Sequence, residues 1–155
     1  MNNLQDLVEA FPSLFRGKRP RVASTLPPGW YELVFELCRD IDSIVRAEPE
    51  RFSITQIKEK FGGLRFYFSI DGAEDIYADL RTPTGVRTIV QESVGPIMMD
   101  RVRAVAQAAM RRSTSICQEC GRPGSRSVHR GWAATLCDEH TGQRNREGGD
   151  AARRP

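Results

Sequence analysis

Apolar residues recur along this chain with two different periods, and the places where the period changes divide it into elements. Leu4, Leu7, Val8, Phe11 and Phe15 stand three or four apart. That spacing lines one face of a helix, and it predicts a short N-terminal helix that Pro12 interrupts. Pro20, Pro27 and Pro28, between Gly17 and Gly29, predict a loop or extended arm. The helical period returns over 30–47 as Trp30, Val34, Leu37, Ile41 and Ile44, widened by Leu33, Cys38 and Val45. Glu32, Glu36 and Asp40 fall on the opposite face, and Pro49 ends the run.

After residue 51 the period drops to two. Leu64, Phe66, Phe68 and Ile70 alternate with Arg65, Tyr67 and Ser69, as on a strand buried on one side. Strands over 52–60 and 64–70 are predicted, joined at Phe61-Gly62-Gly63, where the glycines supply the positive φ of a tight hairpin. Between Ile54 and Ile57 the alternation slips by one, which predicts a bulge. Residues 73–81 read as one or two helical turns. The alternation of Val86, Thr88 and Val90 against Arg87, Ile89 and Gln91 reads as a third strand, with a helix as the alternative. Gly95-Pro96 opens a further helix to about residue 112, with Met98, Val102, Val105 and Ala109 on its apolar face. Arg111 and Arg112 stand in its last turn, where cations suit the dipole.

Composition narrows the class without naming an activity. The chain has 155 residues, 39% apolar and 28% charged, enough for one core plus a small appendage. No apolar run approaches the roughly 20 residues of a membrane span, so no membrane partner is expected. Asp6 and Glu9 stand where a signal peptide would place its apolar stretch, and a bacterial cytoplasmic location is the default expectation.

The strongest chemical signal is Cys117-x2-Cys120, sixteen residues, then Cys137-x2-His140. Two short ligand turns across a hairpin are the spacing of a tetrahedral Zn2+ site. Gly121 permits the left-handed residue that a metal knuckle needs, and Cys137 and His140 share a face of a helix start. Knuckle, hairpin and helix make a treble-clef form of zinc ribbon. Four protein ligands leave no position for water or substrate, so the expected ion is structural and no catalytic residue is assigned. His129 is a rival ligand, set aside because it falls inside the hairpin. Cys38 belongs to a core stripe. Asp138 and Glu139 read as helix-start residues.

The net charge of +3 is too small to argue for a partner, but its distribution is uneven. Residues 101–132 hold seven arginines and one acid, Glu119. Arg111, Arg112, Arg122, Arg126 and Arg130 are candidate phosphate contacts, with Trp132 as a stacking ring. The competing reading is a solvated helix face together with compensation of an anionic zinc centre. Lys58, Glu59, Lys60 and Arg65 around the Gly-Gly turn lack the glycine spacing and following helix of a phosphate loop. Arg65 and Tyr67 beside Phe66 and Phe68 are another stacking possibility, weighed against core packing.

Five segments together resemble a family of small bacteriophage and prophage proteins. They are Phe11-Pro-Ser-Leu-Phe15, Gly29-Trp30, Lys58-Glu-Lys-Phe-Gly-Gly-Leu-Arg-Phe-Tyr67, Cys117-x2-Cys120-Gly121 and Thr135-Leu-Cys-Asp-Glu-His140. The resemblance implies a phage accessory product with a C-terminal zinc ribbon, and it transfers no reaction. The segment 73–110 is longer here than in that family.

The expected architecture is therefore α+β. An antiparallel hairpin or small sheet packs with helices over 1–112, a zinc-ribbon module follows over 113–142, and a disordered tail over 143–155. The expected role is non-enzymatic binding of nucleic acid through the basic C-terminal region. The alternative is a protein–protein effector that inhibits a host system or assists virion assembly.

Overall fold

The computed structural model describes residues 4–16, 26–70, 73–74, 76–82, 85–91, 97–129 and 131–150. At 73–74, 76–82, 85–91, 97, 129 and 147–150 it describes backbone alone. The first helix, α1 (Leu4–Ala10), gives way at Pro12 to a 3-10 turn (Pro12–Phe15) that buries Leu14 and Phe15. Ser13 Oγ donates to Asp42 Oδ1 at 2.9 Å, fastening that turn to α2 (Tyr31–Val45). Leu33, Val34, Leu37, Cys38, Ile41 and Val45 of α2 face the core. Most of the expected arm, 17–25, lies outside the described residues.

Strands β1 (Phe52–Lys60) and β2 (Gly63–Ile70) form the expected antiparallel hairpin. The register shifts between Ile54 and Gln56, leaving Thr55 as the extra residue. Without that bulge Ile57 would point to solvent; with it, Ile57 pairs with Phe66 and is buried. The hairpin turn corrects one expectation. Phe61 (φ 56°) and Gly62 (φ 74°) supply the two positive φ values, while Gly63 already pairs with Lys60 in the ladder. A type I′ two-residue loop needs left-handed backbone at both central positions, so Phe61 adopts it despite the steric cost.

Residues 73–81 also differ from expectation. They form no helical turns: β3 (Ala73–Glu74) adds to β2, and β4 (Ile76–Thr82) pairs with β5 (Gly85–Gln91) in a second hairpin. Weak local helical pattern loses here to a cross-strand ladder with the Val- and Thr-rich 86–91 segment. The described strands make three antiparallel sheets: β1-β2-β3, β4-β5, and a later pair, β6 (Ser125–His129) with β7 (Trp132–Leu136).

Helix α3 (Ile97–Ser113) packs on both α2 and β2. Its buried positions are Met99, Val102, Ala106 and Ala109, with Arg103 and Ser113; Met98 and Val105 are only partly buried. Val102 and Ala109 are buried as expected, while Met99 and Ala106 take the deepest places and Met98 and Val105 pack at the edge of the core. At its C-terminus Ser113 Oγ accepts the Leu64 N–H at 2.9 Å and donates to the Met110 carbonyl at 2.6 Å. Helix and hairpin meet there in a buried polar joint.

Beyond α3 come a loop, β6 (Ser125–His129), β7 (Trp132–Leu136) and α4 (Asp138–Asp150). α4 corrects the tail expectation: helix continues to Asp150, well past 143. The Cys137–His140 turn starts it, with the Thr141 N–H bonded to the Cys137 carbonyl at 2.9 Å and Asp138 and Glu139 in the first turn. Among the described residues, no helix is long and apolar enough to cross a membrane.

Candidate metal centre

Three separate parts of the chain converge behind the Cys117–Cys120 loop. The Cys117 N–H bonds to the Arg122 carbonyl at 2.8 Å, and the Gly121 N–H to the Cys117 carbonyl at 2.9 Å. Gly121 has φ +77°, the left-handed residue that closes a knuckle. Gly29, at the entrance to α2, lies directly on this loop. Its N–H bonds to the Gln118 carbonyl at 2.9 Å, and Trp30 Nε1 donates to the Ile116 carbonyl at 2.8 Å. From the other side, Thr135 Oγ1 of β7 donates to the Gly62 carbonyl in the β1–β2 turn. Motif segments 88–92 residues apart in sequence are thereby assembled around one loop (Gly29 against 117–121).

Cys117, Cys120, Cys137 and His140 offer four ligand atoms that all lie within 4.8 Å of one another. Tetrahedral Zn2+, with Zn–S about 2.3 Å and Zn–N about 2.0–2.1 Å, requires S···S edges of about 3.8 Å and S···N edges of about 3.5 Å. Cys120 Sγ and Cys137 Sγ are 3.8 Å apart, and Cys117 Sγ and His140 Nδ1 are 3.5 Å apart. Cys137 Sγ to His140 Nδ1 is 3.2 Å, somewhat tighter. A disulfide would need about 2.05 Å between sulfurs, and all the cysteines are free thiols. A soft S3N donor set of this size suits Zn2+.

The surroundings favour thiolates. Arg122 Nε donates to Cys120 Sγ at 3.3 Å, and with the Arg122 N–H it brings the exposed Cys120 thiol down to about 6. The His140 N–H lowers Cys137. Burial pushes the Cys117 thiol up, against the N–H groups of Cys137, Cys120 and Glu119 that favour its anion. The hydrogen bond from His140 to Cys137 raises the imidazole above its ordinary value. Arg122 Nη2 also lies 3.8 Å from Cys137 Sγ and forms an ion pair with Glu139, which it holds below the usual carboxylate range.

The candidate contact residues are dispersed rather than gathered. Arg111 and Arg126 are exposed. Arg112 Nη1 is paired with Glu36 Oε2 at 2.9 Å, and Arg122 faces the thiolates. Arg130 lies outside the described residues. Trp132 is 74% exposed and Val128 69%, both beside the turn of the β6–β7 hairpin. His129 closes β6 opposite Trp132, and its side chain is outside the description. On β2, Phe66 and Phe68 are core and Arg65 is buried, while the half-buried Tyr67 ring has Lys58 Nζ over it at 5.1 Å from the centroid.

Sequence reasoning missed two participants. One is Gly29-Trp30, whose docking on the knuckle has no local signal. The other is Arg122 as a thiolate partner, which its place two residues after Cys120 in an anionic centre could have flagged. No protein-family model, curated protein or solved structure matches this chain.

Proposed function

We propose that the Cys3His cluster holds one structural Zn2+ and that the chain is a non-enzymatic binding protein. Its β6–β7 hairpin would contact single-stranded nucleic acid. Four protein ligands saturate a tetrahedral ion, so the metal stiffens a surface and activates no water. The observation that carries the binding reading is the turn end of the hairpin. Val128 and Trp132 are the two large apolar side chains left exposed among the described residues, and residues 120–137 include no acid. An exposed indole in an acid-free, arginine-bearing ribbon suits base stacking beside phosphate contacts. The resemblance to phage and prophage proteins supports a role as a phage accessory product working in the host cytoplasm.

The test has two parts. Elemental analysis should return one zinc per chain, and Co2+ substitution should give a sulfur-to-cobalt charge-transfer band. Fluorescence titration with a single-stranded oligonucleotide should quench Trp132, with affinity falling as salt rises. Trp132→Ala should weaken binding about 5- to 150-fold, the equivalent of about 1–3 kcal/mol per stacked base. Absence of any salt-sensitive binding would end the nucleic-acid reading.

A protein partner is the second reading, favoured by one observation: two of the candidate arginines, 112 and 122, are engaged with Glu36 and Glu139. Trp132 would then be a buried anchor. A stoichiometric complex that survives high salt and is lost with Trp132→Ala would establish it.

A further inference from the structure

Arg122 stands apart from the other arginines of the basic segment. Its guanidinium spans the gap between the two ligand turns, touching Cys120 Sγ through Nε and Cys137 Sγ through Nη2 at 3.3 and 3.8 Å. Nη2 also pairs with Glu139, one of the two residues between Cys137 and His140. Cys120 is the exposed ligand and Cys137 is half-buried, so this is the side on which chelators and oxidants would approach. Cys117, by contrast, is fully buried.

From this geometry we infer that Arg122 is an outer-shell clamp of the metal centre, one that slows metal loss and shields the two accessible sulfurs. The inference rests on the zinc reading above. Three thiolates, a neutral imidazole and Zn2+ carry a net charge of −1, and the guanidinium places a positive charge directly against two of the sulfurs. Hydrogen bonds from a cation also draw density from the sulfurs, which makes them weaker nucleophiles toward electrophiles. Glu139 holds the guanidinium in place from the far side. The pair is exposed on both sides, so its own attraction is weak, and the thiolate contacts are what distinguish Arg122 from a surface ion pair. Arg122 is accordingly unavailable to phosphate while the ion is bound.

The experiment measures zinc transfer from the full-length, zinc-loaded chain to a chromophoric chelator, together with the rate of alkylation by iodoacetamide. Zinc content of the wild-type protein is determined first, so a failure of the zinc reading shows before any variant is compared. Arg122→Ala should accelerate zinc transfer by about 10- to 100-fold, the usual effect of removing an outer-shell partner. Alkylation should quicken with it, while the circular-dichroism spectrum of the loaded protein stays unchanged. Arg122→Lys, a point charge that cannot bridge two sulfurs, should recover only part of the effect.

Glu139→Gln provides the control for the neighbouring carboxylate. In that background Arg122→Ala should still accelerate transfer. If the acceleration disappears there, Arg122 merely screens Glu139 and the clamp is wrong. Equal transfer rates, within twofold, for wild type and Arg122→Ala would overturn it as well.

Discussion

Substituting Gly29 by alanine isolates the joint between the metal loop and the body of the protein. A Cβ at this position would sit 2.1 Å from the Cys117 carbonyl oxygen, 2.5 Å from the Gly121 nitrogen and 2.9 Å from the Cys120 nitrogen. All three are backbone atoms of the knuckle, so no rotamer change relieves the overlap. Ordinary contact begins near 3.4 Å, so the two segments must part by 3.4 − 2.1 = 1.3 Å. A zinc site tolerates only about 0.2 Å in its ligand distances. The knuckle therefore cannot absorb the movement while holding the ion, and α2 must lift instead. Lifting it breaks the bonds from the Gly29 N–H to Gln118 and from Trp30 Nε1 to Ile116, and opens a fully buried indole. Each buried donor left without a partner costs about 1–3 kcal/mol. A total of about 4 kcal/mol corresponds to a fall in Tm of about 8–16 °C for a chain of this size.

The assay is thermal unfolding at saturating zinc, followed by circular dichroism, with zinc content measured on the same samples. Gly142→Ala is the matched control: nothing lies within 4 Å of its Cβ position, and it sits inside α4. That change should be neutral or stabilising by about 0.5–1 kcal/mol. A Gly29→Ala protein that keeps a full equivalent of zinc and melts within about 2 °C of wild type would refute the steric reasoning, since less than 1 kcal/mol would then be at stake.

Other outcomes follow from the same structure. Ser113→Ala removes the acceptor of the buried Leu64 N–H and should cost about 1–3 kcal/mol in urea unfolding at pH 7; an unchanged midpoint would mean that water or relaxation satisfies the amide. Burial pushes the Cys38 thiol up to about 12 from 9.0, so the folded state stays protonated where the unfolded chain ionises. Stability from this group is complete below pH 9 and is lost as pH rises toward 12, by up to about 4 kcal/mol. Urea midpoints from pH 8 to 11 should fall less steeply for Cys38→Ala than for wild type, and parallel curves would contradict the assignment. Cys137→Ser should lose the stoichiometric zinc and loosen the segment that follows α3, read as heightened proteolysis between 114 and 142; a metal-bound protein of unchanged protease resistance would count against a ligand role.

What could be read from residue order alone was whatever depends on neighbours a few positions away. The buried face of α2 is a 3.6-residue stripe. The β1 bulge announces itself as a slipped alternation between Ile54 and Ile57, and the ligand spacing is itself a local geometry. These features fail only where local preference is weak or ambiguous. The Ala73–Thr82 region could coil or pair, and only its ladder partner at 85–91 decides between them. On α3 the pattern found Val102 and Ala109, but the choice of Met99 over Met98 and of Ala106 over Val105 belongs to the contacts with α2 and β2. The helix beyond 143 was missed because composition carries no record of a turn already started by Cys137 and His140.

Residue order was enough to point to a Cys3His cluster, to the four residues that form it, and to an α+β body before it. What that cluster is fastened to emerges in three dimensions alone. Gly29 lacks a side chain because a carbonyl oxygen of the knuckle occupies its place, and Arg122 is turned inward because two thiolates meet there. Both facts arise from distances between segments remote along the chain. No period or motif encodes such distances; they exist once burial of the core has brought the segments together.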